Sequence, residues 1–291
     1  MILRPVRDDA QDAGVVREVA AAAFGVPRSL DDGGPATDGA ARAARQDSRT
    51  RHLARSDPGG CWIVEDETAG PVGTVLSSRR EGTWALSLLA VVPGAQGKEV
   101  GKALLARALH YGRACLRGIA CAPSDPVAAR TLRRAGLTLH PTLRLSGRVD
   151  TAGLDPLDGA VHQGTERHRD LMDSVDRRTR GGAHGPDHEE LLRHNALFVV
   201  DDLAGSGYCY SRGGHVEALA ATSRRLATRL LTAALVTTPP GEAARVTHVS
   251  AESQWALDVA VTAGLDITND GFLCLRGLRP PELAIPSRTL P

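Results

Sequence analysis

Aromatic side chains are nearly missing from this chain. Three tryptophans, three tyrosines and three phenylalanines in 291 residues leave few platforms on which bases could stack, which argues against single-stranded nucleic acid as a partner. An excess of one charge is lacking too. Lys plus Arg number 35 and Asp plus Glu 34, so nothing electrostatic draws the protein to nucleic acid or to an anionic membrane. Cysteines number five. Cys61, Cys115, Cys121, Cys209 and Cys274 are odd in number, scattered and free of any CxxC pair, which leaves neither a disulfide framework nor a cysteine zinc site and predicts reduced, buried thiols. No run reaches the roughly 18 apolar residues of a membrane span, and MILRPVRDD becomes charged before a signal-peptide core could form. A cytoplasmic protein is expected, a monomer or homodimer.

What is present is a plan used twice. The length suits two domains of roughly 150 residues. LLARAL at Leu104–Leu109 is echoed by LLTAAL at Leu230–Leu235. After each comes a short β-like run, IAC at Ile119–Cys121 and VTHVSA at Val246–Ala251, then a helical segment ending in AGL, at Ala135–Leu137 and again at Ala263–Leu265. Order and spacing nearly repeat, so two similar units stand in tandem. Between them RVDTAGLDPLDGAVHQG, Arg148–Gly164, is rich in Gly, Asp and Pro without periodicity. It predicts domains at 1–150 and 165–291 joined by a linker at 151–164.

Within the first half the pattern predicts a strand at Ile2–Arg7 and a helix from Asp9 to about Phe24 capped by Asp8 or Asp9. A Gly-rich loop at Gly33–Gly39 and a polar helix ending near Arg55 follow. Strands at Cys61–Asp66, Val72–Ser78 and Trp84–Val92 read as an antiparallel meander. A helix after Gly97, a strand at Gly118–Ala122, a helix opened by Ser124, Asp125 and Pro126, and a strand at Leu139–Val149 complete it. The second half repeats this with helices near Arg167–Arg178 and Asp187–His194 and strands at Leu197–Asp201, Gly205–Ser211 and Val216–Ala220. The fold class is mixed α/β. The closing GLRPPELAIPSRTLP is expected to lie across a domain surface.

The stretch VVPGAQGKEVGKALL, Val91–Leu105, carries the clearest chemistry. Pro93 and Gly94 end the strand LSLLAVV, and Val100, Ala103, Leu104, Ala108 and Leu109 recur at helical spacing. The first amides of that helix point back into the turn and, with the positive end of its dipole, form an anion site that Gly97 and Gly101 let a ligand approach.

Strand, VxP, small-residue turn, helix, strand, helix and terminal AGL resemble the GNAT acyltransferase superfamily. The family signature, Gln or Arg, two residues, Gly, one residue, then Gly or Ala, falls on Gln96, Gly97, Lys98, Glu99, Val100 and Gly101. Glu99 stands where the central Gly is expected. The matching hexad of the second half, Thr222, Ser223, Arg224, Arg225, Leu226 and Ala227, keeps only the final small residue. The whole chain is thus similar to a tandem GNAT protein with one intact and one degenerate half.

The resemblance implies acetyl-CoA, or another acyl-CoA, with its pyrophosphate on the amides of Gln96, Gly97, Lys98, Glu99, Val100, Gly101, Lys102 and Ala103. It implies a pantetheine arm paired to the backbone of Ala90, Val91 and Val92, and Asp125 in the position of a family Asn. It also implies an amine acceptor, a small molecule or a peptide. The strand that often carries a Glu base in the family offers only Ser87. Leu132 takes the place of the usual Tyr acid, and no catalytic residue can be named. In the second half Ala260 and Ser253 hold the Tyr and Asn positions, and Glu217, the only acid on the matching strand, is expected to face solvent. A non-catalytic CoA-binding or scaffold protein is the alternative.

Three readings of Glu99 stand open. An acid in the first turn suits the helix dipole by about 0.3–1 kcal/mol. A carboxylate about 6 Å from one phosphate charge would cost roughly 0.7 kcal/mol at the permittivity of water and about 3 at an effective value of 20. Or the side chain swings into water and the amides remain available. Elsewhere, His184 and His188 flank Asp187, but a spacing of four in a Gly-Pro loop lacks the helix that would put both imidazoles on one face, so no metal is expected. Cys121 reads as a small core residue, and His110 and Tyr111 as packing or surface.

Overall fold

The computed structural model describes residues 1–25 and 39–291; the expected Gly-rich loop at 33–39 falls almost wholly outside them. The described residues form two compact units: 1–25, 39–120 and 289–291 make the first, and 121–288 the second. Among them, no helix is long and apolar enough to cross a membrane.

The first unit opens with β1 (Ile2–Pro5) and α1 (Ala10–Phe24). Asp9 starts that helix by accepting the Asp12 amide on its side chain. Then come α2 (Gly39–Ser56), β2 (Trp62–Asp66), β3 (Gly70–Arg80) and β4 (Thr83–Val91). Next are α3 (Val100–Tyr111) and β5 (Arg117–Ala122). The sheet runs β1-β2-β3-β4-β5, antiparallel as far as β4 and parallel between β4 and β5. Val100, Leu104, Leu105 and Ala108 are the buried stripe of α3. Ala103, which the spacing assigns to that stripe, is exposed and Leu105 replaces it.

The second unit begins inside the first sequence repeat, with α4 (Pro126–Arg134) and β6 (Thr138–Gly147). The predicted linker at 151–164 therefore lies within this unit. The cause is β6, which pairs antiparallel on both edges, with β11 (Ala244–Ser250) and with β12 (Asp266–Arg276). A strand of the first repeat thus takes the place beside β11 that the repeat would give β12. Composition alone marks a polar loop; it does not say which sheet the strand before it joins.

The remaining elements are β7 (His162–Gln163), α5 (Arg169–Arg180), α6 (Asp187–His194), β8 (Ala196–Asp202), β9 (Gly205–Arg212), β10 (His215–Ala221), α7 (Arg224–Val236), α8 (Gln254–Thr262) and β13 (Ala284–Ile285). The sheet order is β12-β6-β11-β10-β9-β8-β7, with β13 paired to β10. Its core gathers Leu226, Leu230 and Leu231 of α7 with Val216, Val246, Trp255 and Val259. The two AGL copies are one local motif. Gly136 and Gly264 sit at φ 88° and 70°, and the amides of Leu137 and Leu265 bond back to the carbonyls of Leu132 and Ala260. This is a helix C-cap that glycine adopts without strain.

Candidate functional site

The start of α3 explains both why glycine is expected at position 99 and how the chain manages without it. Gly97 has φ 76° and Glu99 φ 63°, ψ 1°, so the turn needs two left-handed residues and supplies one glycine. A non-glycine residue there costs roughly 1–2 kcal/mol. Among the described residues no side chain caps α3. The first amide of the helix to bond back to the turn is that of Ala103, to Glu99 O at 3.0 Å, so those of Val100, Gly101 and Lys102 precede the helical ladder and face the turn. Glu99 itself is 73% exposed and pairs with Lys102 at 2.5 Å, the outward reading. Gln96 Nε2 donates to Val91 O at 3.0 Å and ties the turn to the end of β4. Among the described residues a Cβ at Gly97 would meet nothing within 4 Å, and one at Gly101 only Val91 Cγ2 at 3.5 Å, so none of them blocks the approach to these amides.

Beside this turn β4 leaves its partner. The parallel pairing runs from Thr83↔Arg117 to Leu86↔Ala120 and stops. Among the described residues no strand pairs with that edge of β4 beyond Leu86. On the other edge Leu76 pairs with Leu88 but Ser77 with Leu86, so Ser87 is the extra residue of a β-bulge. Bulges re-aim side chains, and Ser87 Oγ is buried without a hydrogen-bond partner among the described residues. It lines a cleft with Val16 and Arg17 of α1 and Gln46 and Arg49 of α2. Ala90 is buried, and Val91 and Val92 continue toward the turn, with the Val92 amide bonded to Val72 O.

Other sequence candidates have local structural roles. Asp125 is an N-cap, accepting the Ala128 amide at 2.7 Å, and belongs to the second unit. Leu132 is 5% exposed and Ala260 fully buried, both core residues with no proton to give. Burial pushes the Cys121 thiol up, as suits a small core residue. Tyr111 donates to Asp57 Oδ1, beside a buried Asp57–Arg80 ion pair at 2.8 Å, and is a packing residue as expected.

The second unit uses the equivalent positions differently. Ser223 caps α7 through its own Oγ in extended backbone, and no left-handed turn precedes the helix. The strands β10 and β11 also pair only briefly, at His215↔Arg245 and Val216↔Val246. Here the segment 281–287 fills the space, which corrects its expected surface position. Ile285 and Ala284 pair with Leu219 and Ala220 of β10. Trp255 Nε1 donates to Glu282 O at 2.7 Å, and Ser253 Oγ donates to Pro281 O and Glu282 O. Glu217, expected to face solvent, is 7% exposed and accepts from Ser287 Oγ at 2.5 Å. Sequence reading missed this because a two-residue strand between prolines carries no periodicity.

His184 lies before α6 and shares no helix face with His188, yet the two rings meet. The loop after α5 and the first turn of α6 bring both rings onto Asp176, whose Oδ2 lies 2.7 Å from His184 Nδ1 and 3.0 Å from His188 Nε2. The partner is the aspartate of the preceding helix, not the neighbouring Asp187.

Residues 31–137 match the family described as Acetyltransferase (GNAT) family. No curated protein matches the sequence. Among solved structures, a proposed acetyltransferase from Pyrococcus horikoshii aligns over 99% of this chain and 95% of its own at 15% identity and a TM-score of 0.77. A tandem GNAT protein from the clavulanic acid biosynthesis pathway aligns over 94% and 97% at 14% identity and 0.55. A GCN5-related N-acetyltransferase from Kribbella flavida covers 94% of this chain and 70% of its own at 16% identity and 0.55. At such identities the likeness is one of fold.

Proposed function

We propose that this chain, whose residues 31–137 match the GNAT acetyltransferase family and whose fold is that of tandem GNAT proteins, binds acetyl-CoA, or another acyl-CoA, in its first half and passes the acyl group to an amine. The observation that carries this reading is the divergence of β4 from β5 at Leu86 and Ala120 beside a helix start that no described side chain caps. Unpaired strand edge suits an extended amide-bearing arm, and free helix amides suit a pyrophosphate. In the second half Ser223 and the segment 281–287 occupy both positions, which supports one site per chain.

Transfer requires the amine nitrogen to attack the thioester carbon, the C–S bond to break, and the amine proton to reach the departing thiolate. Backbone amides and alignment would supply most of the acceleration. Ser87 Oγ, buried at the bulge, would orient the acceptor or a water that relays the proton. No side-chain acid stands at Leu132, so proton transfer falls to water or to the acceptor itself.

A non-catalytic CoA-binding role is the second reading, and Leu132 and Ala260 in the acid positions favour it. Native mass spectrometry with acetyl-CoA, followed by free-thiol release against a panel of small amines and peptides, tests both. One acetyl-CoA adduct with amine-dependent thiol release supports the enzyme. One adduct without release for any amine supports the binding protein, and no adduct overturns both.

A further inference from the structure

The second unit, which the proposed reaction does not use, holds a group of donors built deep in its core. Asp176 is on α5, His184 in the loop that follows, and His188 in the first turn of α6. Asp176 is fully buried, His188 is 1% exposed and His184 5%. Their donor atoms all lie within 4.8 Å of one another. We propose that these three residues bind a divalent transition-metal ion, of the zinc class, as a structural site of the second unit.

Spacing supports this. Around a tetrahedral ion with bonds of about 2.0–2.2 Å, adjacent donors stand roughly 3.3 Å apart. Asp176 Oδ2 is 2.7 Å from His184 Nδ1 and 3.0 Å from His188 Nε2, so these two pairs would open by a few tenths of an ångström to admit the ion, while the two ring nitrogens, within 4.8 Å of each other, would settle to the same spacing. Donor chemistry agrees: two imidazoles and a carboxylate suit zinc better than calcium or magnesium, which take oxygen ligands. Asp173, one turn before Asp176, places Oδ1 3.5 Å from His188 Nε2 and is the nearest fourth donor. The pattern is therefore two aspartates three apart on one helix face and two histidines four apart at the next helix start.

The shell around these donors is itself ordered. Tyr208 OH donates to Asp176 Oδ1, the oxygen turned away from the rings. Tyr210 OH lies 3.2 Å from His188 Nδ1, the nitrogen turned away from the carboxylate. Both tyrosines come from β9 and are buried. Outer partners of this kind fix the tautomer and orientation of metal ligands. A buried carboxylate also needs opposite charge nearby, which a dication supplies. Coordination requires His184 Nδ1 and His188 Nε2 to be proton-free, so each neutral ring would carry its one proton on the other nitrogen, a change of tautomer with no net release.

The test uses the full chain, stripped with chelator, dialysed and titrated with Co²⁺ and then Zn²⁺. One Co²⁺ per chain with visible d–d absorption, displaced by one Zn²⁺, is expected. Zinc at a hundredfold excess over its Kd should raise Tm by about 5–10 °C. Asp176→Asn should abolish the absorption and the shift. Because that variant could fail to fold, Tyr210→Phe provides a milder probe that should weaken zinc affinity 10- to 100-fold. Absence of both Co²⁺ absorption and a zinc-induced shift in the parent overturns the proposal. So does tight binding unchanged in Asp176→Asn or in Tyr210→Phe, which would place the ion elsewhere. None of these readouts depends on acyl transfer.

Discussion

Glu99 Oε2 lies 2.5 Å from Lys102 Nζ, with both side chains more than two-thirds exposed, while the Glu99 backbone is left-handed. Charge and shape are therefore separable at this position. The carboxylate is turned to solvent and its ion pair contributes little, whereas the backbone strain is built into the turn. Glu99→Gly is expected to stabilise the protein by about 1 kcal/mol and to tighten CoA binding several-fold, with Glu99→Gln gaining much less in both. Urea titration and affinity measured at two salt concentrations check this. An equal gain in Gln, larger at low salt, would show that the charge faces the phosphates.

Leu132 sits where the resemblance places an acid, and it is core. Leu132→Ala should cost about 2–4 kcal/mol of stability by leaving a cavity, with turnover per folded molecule unchanged. Denaturant unfolding paired with thiol-release rates measures both. Lost turnover at intact stability would give this residue a role in the site.

The segment 281–287 should be a structural part of the second unit. Ile285, 1% exposed between β10 and β11, changed to Asp would bury an unpaired charge and cost roughly 2–4 kcal/mol or expel the segment. CoA stoichiometry should stay the same, because Ser223 already takes the Leu226 amide and no left-handed turn opens the start of α7 to a ligand. A second CoA site appearing in Ile285→Asp would mean that the segment alone keeps that half empty.

Asp12 sets the acid limb of stability. It is fully buried and accepts from Arg4 Nη1 at 2.7 Å, Arg7 Nη2 at 3.0 Å and the Arg7 amide at 2.8 Å. Burial opposes its ionisation, but bonds from Arg7 and Arg4 outweigh that and hold the carboxyl well below the usual carboxylate range. Its contribution is therefore complete above the unfolded value of about 3.9 and is lost as pH falls from there through the depressed native value. Asp12→Asn should cost about 1–3 kcal/mol at neutral pH, discounted because Arg7 is more than half exposed, and should flatten the stability curve below pH 4. An unchanged curve would remove Asp12 from this role.

The sequence made the elements of both halves readable because each carries local signals. Asp9 and Asp125 cap helices, the AGL turns end them, and alternation marks the meander. The turn before α3 was legible for the same reason, since a helix start announces itself in small residues. What could not be read is what depends on distant pairing. The entry of β6 into the second sheet, the threading of 281–287 beside β10, and the convergence of His184 and His188 on Asp176 join residues whose neighbours in sequence say nothing of each other. Ser87 lies between the two cases: its type was visible, while its burial and direction come from a bulge set by β3.

The central claim is one acyl-CoA site per chain, built on the turn from Gln96 to Ala103. Calorimetric titration of the full chain with CoA tests it directly, alongside Gly101→Glu, whose Cβ would meet only Val91 Cγ2 at 3.5 Å and so leaves the fold intact while placing a carboxylate at the amides. A stoichiometry of about one is expected, lost in the variant without loss of Tm. Two equivalent sites, no binding by the parent, or binding unchanged in Gly101→Glu would contradict it.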